Sequence, residues 1–103
     1  MSELFTVRAS SDADTLTLTL AGEIDADALD GEIRSGLFTS EVTTLVLDLA
    51  DVTFVDSTGL GVIMGAHKAL REREGTLILR RPPGTVRRLL EVTQLTGELK
   101  IED

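Results

Sequence analysis

Phe54-Val55-Asp56-Ser57-Thr58-Gly59-Leu60-Gly61 is an apolar pair, a polar pair and two glycines, and a helical apolar pattern follows it. An extended segment stops here and a helix starts. A Ser ahead of an apolar-periodic run is a helix-start signal, because its side-chain oxygen can accept a hydrogen bond from an unpaired amide of the first turn. The glycines remove side-chain bulk, so another molecule could approach the backbone closely. One hydroxyl is thereby presented at the positive end of a helix dipole. Taken alone, an Asp-Ser pair in this place is most often a plain cap.

Outward from that junction, the chain reads as strands and helices in alternation. Thr15-Leu16-Thr17-Leu18-Thr19-Leu20 alternates strictly, which predicts a half-buried strand with the leucines on the core face. Leu4 to Val7 predicts a shorter strand before it, and the Ser- and Asp-rich segment Ser10 to Asp14 a turn, so the two form a hairpin. Ala21 to Asp25 reads as a loop. Leu29, Ile33 and Leu37 recur at helical spacing, with Asp25 placed to cap that helix and Asp27 and Asp30 near its positive end. Thr44-Leu45-Val46-Leu47-Asp48-Leu49 is nearly continuous in apolar residues, the pattern of a central strand covered on both faces. The helix from Ser57 is expected to run to about Glu74 and stop at Gly75, with Thr76-Leu77-Ile78-Leu79 as a second buried strand. Pro82 and Pro83 introduce a short helix with Val86, Leu89 and Leu90 on its apolar face, and Leu99 and Ile101 suit a last edge strand. Leu16, Leu18, Leu20, Leu45, Leu47, Ile63, Leu70, Leu77 and Leu79 are the expected core. The order implies an α/β layered domain with a mixed sheet.

Composition removes several classes of function. The 103 residues suit one domain over residues 1–103, and a 42% hydrophobic content can build a core. There is no Trp, Tyr or Cys, so an aromatic platform for single-stranded nucleic acid, disulfides, thiol catalysis and thiolate metal sites are all excluded. A formal net charge of −8 argues against nucleic acid. The charge is uneven: residues 1–51 carry −9 and residues 52–103 carry +1. That asymmetry suits a charge-steered protein partner as well as it suits ordinary surface. No apolar run is long enough to span a membrane and no leader is visible, so a cytoplasmic location is expected.

On a helical wheel Val62, Ile63, Ala66, Ala69 and Leu70 form an apolar arc with Leu60 at its edge. Ser57, Gly61, Met64 and Lys68 share the opposite stripe. A flexible Met beside small residues suits a contact surface.

Enzyme readings of these residues fail on spacing. A serine hydrolase needs a base within hydrogen-bond reach of the nucleophile. The one histidine, His67, is ten residues along the same helix, roughly 15 Å away at 1.5 Å rise per residue. Val55 stands where a nucleophile elbow has its first Gly. Asp25, Asp48 and Asp56 supply one carboxylate per loop, a weak cation cage, so Asp25 and Asp56 read as caps and contact residues instead. No phosphate-binding Gly-x-x-x-x-Gly-Lys-Ser/Thr loop occurs, so no metal and no cofactor is expected.

The run from Phe54 to Val62 resembles the signature of the STAS domain, and within it of the anti-sigma factor antagonists. Gly22-Glu23-Ile24-Asp25 resembles that family's first loop. Pro82 to Leu90, then Thr93 to Leu95, resembles its last helix and turn, with Gln94 where the family commonly has Gly. The resemblance implies a single-domain STAS-like layered fold, a mixed sheet of about four to five strands packed by about three to four helices. It implies phosphorylation of Ser57 by a partner kinase, and partner contacts at Asp25, Asp56, Thr58, Gly61, Met64 and Lys68. The partners it implies are an anti-sigma factor with serine kinase activity and a PP2C-type phosphatase, with no nucleic acid and no membrane, and a monomeric chain. The other role open to the same fold is a STAS-type adaptor subunit of a transport or stress-sensing assembly.

Overall fold

The computed structural model describes residues 4–39, 41–92 and 99–103. Thr93, Gln94 and Leu95, and with them the turn expected after the last helix, lie outside the described residues. The elements in chain order are β1 (Thr6–Asp12), β2 (Thr15–Glu23), α1 (Ala26–Thr39), β3 (Thr44–Phe54), α2 (Ser57–Glu72), β4 (Thr76–Arg80), α3 (Gly84–Val92) and β5 (Lys100–Glu102). They form one five-stranded sheet in the order β1-β2-β3-β4-β5. β1 runs antiparallel to β2, and all later pairs are parallel.

Each helix joins two neighbouring parallel strands and steps in the same direction across the sheet. Crossovers of one hand then place all the helices on one face. The core shows this. Leu29 and Ile33 of α1, Ile63 and Leu70 of α2, and Val86 and Leu90 of α3 cluster with Leu18, Leu47 and Leu79 of the sheet. Every residue expected in the core is buried. Burying one such leucine fully is worth about 1.5–3 kcal/mol.

The opposite face of the sheet differs from expectation. Among the described residues no helix lies on it, so the described helices cover β3 on one side only. Val46 is nonetheless buried, in register with Thr17 and Ile78, both half-buried. Asp48 follows it on this face. Its carboxylate accepts the Ala50 amide at 3.2 Å and pairs with Arg81. Burial pushes the Asp48 carboxyl up, but the Arg81 hydrogen bond, the Ala50 amide and the charges of Arg81 and Arg80 outweigh it and hold the group below its ordinary value.

Four strands exceed their expected length: β4 by Arg80 alone, and β2 through Ala21, Gly22 and Glu23, which pair with β3 and are strand rather than loop. β1 continues to Asp12, so Ser10 and Ser11 are strand rather than turn, and the turn is Ala13-Asp14 alone. An edge strand with its side chains in water accepts polar residues. The Asp14 carbonyl takes the Thr43 and Thr44 amides at 2.9 and 3.2 Å, and its carboxylate takes the Thr43 hydroxyl at 2.9 Å, which pins the tight turn. β3 continues to Phe54 through two register shifts against β2. A shift inserts one residue and reverses the alternation. That is why the buried positions run Leu45, Leu47, Leu49 and then Val52 and Val55.

Candidate functional site at the carboxyl end of the parallel strands

β2 and β3 end side by side and each passes directly into a helix. The Ile24 amide donates to the Phe54 carbonyl at 3.0 Å, which joins the two exits. Asp25 caps α1: its Oδ1 accepts the Ala28 amide at 3.2 Å. Asp56 caps α2: its Oδ1 accepts the Gly59 amide at 2.8 Å. Two carboxylates thus stand at adjacent helix N-termini, where the dipoles favour negative charge.

Asp25 and Asp56 are thus caps as expected, and the reading of Ser57 as a cap is corrected. Ser57 is the first helical residue, exposed, and Asp56 satisfies the first-turn amide. The hydroxyl is left for other chemistry.

Two glycines make the junction possible. Gly22 has φ +87°, and a Cβ there would lie 2.4 Å from the Leu4 carbonyl oxygen. Gly59 is buried, and a Cβ there would meet Val55 Cγ2 at 3.0 Å and Ile24 Cγ2 at 3.2 Å. The first turn of α2 is pressed against the Asp25 loop. Gly61 has open space around it, as does Gly65.

The wheel of α2 needs rotation. The buried residues are Gly59, Leu60, Ile63, Ala66 and Leu70, and Ala69 is exposed. The helix ends at Glu72, earlier than Glu74, which takes a left-handed φ of 58°. Met64 is half-buried against the edge of the core instead of pointing into solvent. Ser57, Gly61 and Lys68 are exposed as expected, and Thr58 is exposed beside them.

Val62 and Ala69 instead line a groove of about 670 Å³ between α1 and α2. Ile33 and Leu37 form the α1 wall, and Thr58, Gly61 and Gly65 the α2 wall. Asp27 and Asp30 lie along one side. Arg34 pairs with Asp30 at 2.8 Å, and Arg73 donates to the Leu37 carbonyl at 3.2 Å. Of the sequence-predicted contact residues, Thr58 and Gly61 border this groove; Asp25 and Asp56 stand at the helix starts, while Met64 and Lys68 do not line it. The groove was missed from sequence. Its signal was the half-apolar flank of α2, Val62 and Ala69, which the wheel assigned to the core.

His67 offers Ser57 nothing. Both of its ring nitrogens are buried with no hydrogen-bond partner among the described residues. Among those residues no cluster of acids and histidine could hold a metal ion, and no helix is long and apolar enough to cross a membrane.

The STAS domain family model matches residues 6–103. The chain belongs to the STAS domain family. An anti-sigma-B factor antagonist of Listeria monocytogenes is 37% identical to this STAS domain over 95 residues, covering 89% of this chain and 82% of the relative. An anti-sigma F factor antagonist of Lysinibacillus sphaericus is 31% identical over 85 residues, covering 80% and 73%. Among solved structures, the anti-sigma factor antagonist SpoIIAA in its unphosphorylated form superposes with a TM-score of 0.83 at 24% identity, covering 95% of this chain and 89% of that one. SpoIIAA of Bacillus in the phosphorylated form gives 0.75 at the same identity, over 97% and 92%. At that identity the likeness is one of fold. It matches the five-stranded mixed sheet and three helices of this STAS domain.

Proposed function

We propose that this STAS domain is an anti-sigma factor antagonist whose binding is switched by phosphorylation of Ser57. Unphosphorylated, it holds an anti-sigma factor and frees the sigma factor. That partner, a serine kinase that brings its own ATP, modifies Ser57 and is released, and a PP2C-type phosphatase resets the cycle. The relatives named as anti-sigma antagonists support the role. The observation that carries the switch is the exposed Ser57 at the first position of α2, relieved of capping by Asp56. The protein acts as a monomer in the cytoplasm.

The chemistry of the switch follows from the position. A phosphate adds about −1.5 to −2 charge at neutral pH, and a helix N-terminus tolerates it. The fold has no need to change. The new charge stands beside Asp56 and the Asp25 loop and acts on the docked partner by repulsion and bulk. Asp25, Asp56, Thr58 and Gly61 form the contact surface, and Lys68 and the exposed part of Met64 extend it along α2.

The test is incubation with each ATP-dependent anti-sigma kinase of the host, followed by intact mass, site mapping and titration. Phosphate is expected on Ser57 alone. Ser57→Ala is expected to bind and stay bound in ATP, and Ser57→Asp to fold normally and bind weakly. Equal affinity of wild type and a folded Ser57→Asp, with no phosphate on Ser57, would sink the mechanism.

A further inference from the structure

A second recess, sharing no residue with the groove, opens at the end of β3. Thr53, Phe54 and Val55 form one wall, and Thr85, Val86 and Leu89 of α3 the other, around about 300 Å³. No charged side chain lines it. It stands at the bottom of the roughly 300–1,000 Å³ range of small-molecule pockets. Without a charged group it suits an apolar side chain better than an ionic metabolite. Phe54 forms part of its rim and is 51% exposed, one of few large apolar side chains left in water among the described residues.

Two observations say what covers it. The first is continuity. The Phe54 carbonyl accepts the Ile24 amide, so the recess is tied through the backbone to the loop carrying Asp25, and Ser57 is three residues on. The second is charge. From Ala21 to Ile33 the chain carries Glu23, Asp25, Asp27, Asp30 and Glu32 and no base, and from Ala50 to Glu72 the first base is Lys68. The notch is thus acidic on the side of Asp25 and Asp56, while Arg87 and Arg88 stand on its α3 side, so it is complementary to an apolar side chain with basic neighbours on the Asp25 and Asp56 side.

We propose that Phe54 and the recess beside α3 seat an apolar side chain of the anti-sigma partner, with basic residues of that partner facing Asp25 and Asp56. This rests on the function proposed above and adds its anchor. Aromatic residues at the dehydrated centre of an interface carry most of the binding energy. A phosphate on Ser57 keeps that centre wet, so one modification weakens the strongest contact as well as the charged ones.

The experiment is calorimetric titration of the unphosphorylated chain with the host kinase that modifies Ser57, alongside thermal melts. Phe54→Ala and Thr85→Arg are each expected to weaken binding about tenfold or more at unchanged melting temperature. Phe54→Leu should restore most of the affinity. Thr85 lies on α3, outside the Ser57 helix and the Asp25 loop, and Phe54→Ala changes no charge, so a loss of affinity in both variants reports on the recess. Wild-type affinity in Phe54→Ala and Thr85→Arg, with Asp25→Ala weakened, overturns the inference and leaves the function standing. A folded wild type that binds none of the kinases removes both. A dimer of the free chain that Phe54→Ala dissolves assigns the recess to a second copy and overturns the inference as well.

Discussion

The Asp56 carboxylate accepts the Gly59 amide, and Ser57 sits one residue inside the helix. Replacing each by Ala therefore separates the two tasks. Asp56→Ala is expected to cost about 1 kcal/mol through loss of the cap. Ser57→Ala, at an exposed first position, should stay within about 0.5 kcal/mol of wild type. Urea melts of the pair check this, and a larger loss for Ser57→Ala would return the cap to the serine. The sequence pattern located the helix start, but two adjacent residues of cap chemistry compete for one role there. Only backbone geometry resolves such a competition: Asp56 has extended dihedrals and Ser57 helical ones. Asp48 gives a second test at this scale. Its folded pKa is depressed, so its contribution is present above the unfolded carboxyl value and is lost as pH falls through the folded one. Stability of wild type should fall below about pH 4 more steeply than that of Asp48→Asn. Parallel acid profiles for the two proteins would show that the Arg81 pair adds nothing.

Within α2, the three glycines of its first nine residues answer to different demands. Gly59 is pressed against Val55 and Ile24, while Gly61 and Gly65 face open space. A helix interior prefers Ala to Gly by about 0.5–1 kcal/mol. Gly61→Ala and Gly65→Ala should therefore raise stability by up to that amount. At Gly59 the gain meets overpacking that costs roughly 1–3 kcal/mol, so Gly59→Ala should destabilise. Denaturant midpoints of the three variants give the ordering, and a stabilised Gly59→Ala would mean the first turn is looser than the packing implies. The sequence reading took Gly59 and Gly61 as one small-residue feature and gave Gly65 no part in it. It could not separate Gly59 from Gly61, because the neighbour of Gly59 is Ile24 on another element. The same limit hid the groove and the recess. Val62, Ala69 and Phe54 are apolar, and pattern reading assigns apolar residues to a core unless a second element is placed beside them. The two bulges in β3 had a trace in sequence, since Leu49, Val52 and Val55 break the alternation by steps of three.

For the whole molecule, the sequence carried the architecture well, because strict alternation in β2 and helical spacing in α1 each allow one burial pattern, whereas the wheel of α2 located the helix but not the limits of its buried face. What it overstated was coverage of β3. Continuous apolar character in Thr44–Leu49 arises here from one helix-covered face plus Val46 shielded by its neighbours in the sheet. Leu47 is at the centre of the covered face and fully buried. Leu47→Ala is expected to cost roughly 2–5 kcal/mol, read as a shifted urea midpoint with an unchanged slope. The net charge of −8, concentrated in the first half, sets a further expectation for the assembled pair. Association with a basic partner surface should slow as salt is raised from about 0.05 to 0.5 M, with dissociation changing less. Stopped-flow traces with a salt-independent on-rate would remove charge steering from the account.

The bare side of the sheet also makes this chain easy to instrument. It contains no cysteine, and Thr76 is exposed on the face opposite the helices. Thr76→Cys would give a single thiol on the far side of the sheet from Ser57 and the groove. A fluorophore attached there would report tumbling as the kinase docks and departs, leaving the Ser57 surface untouched.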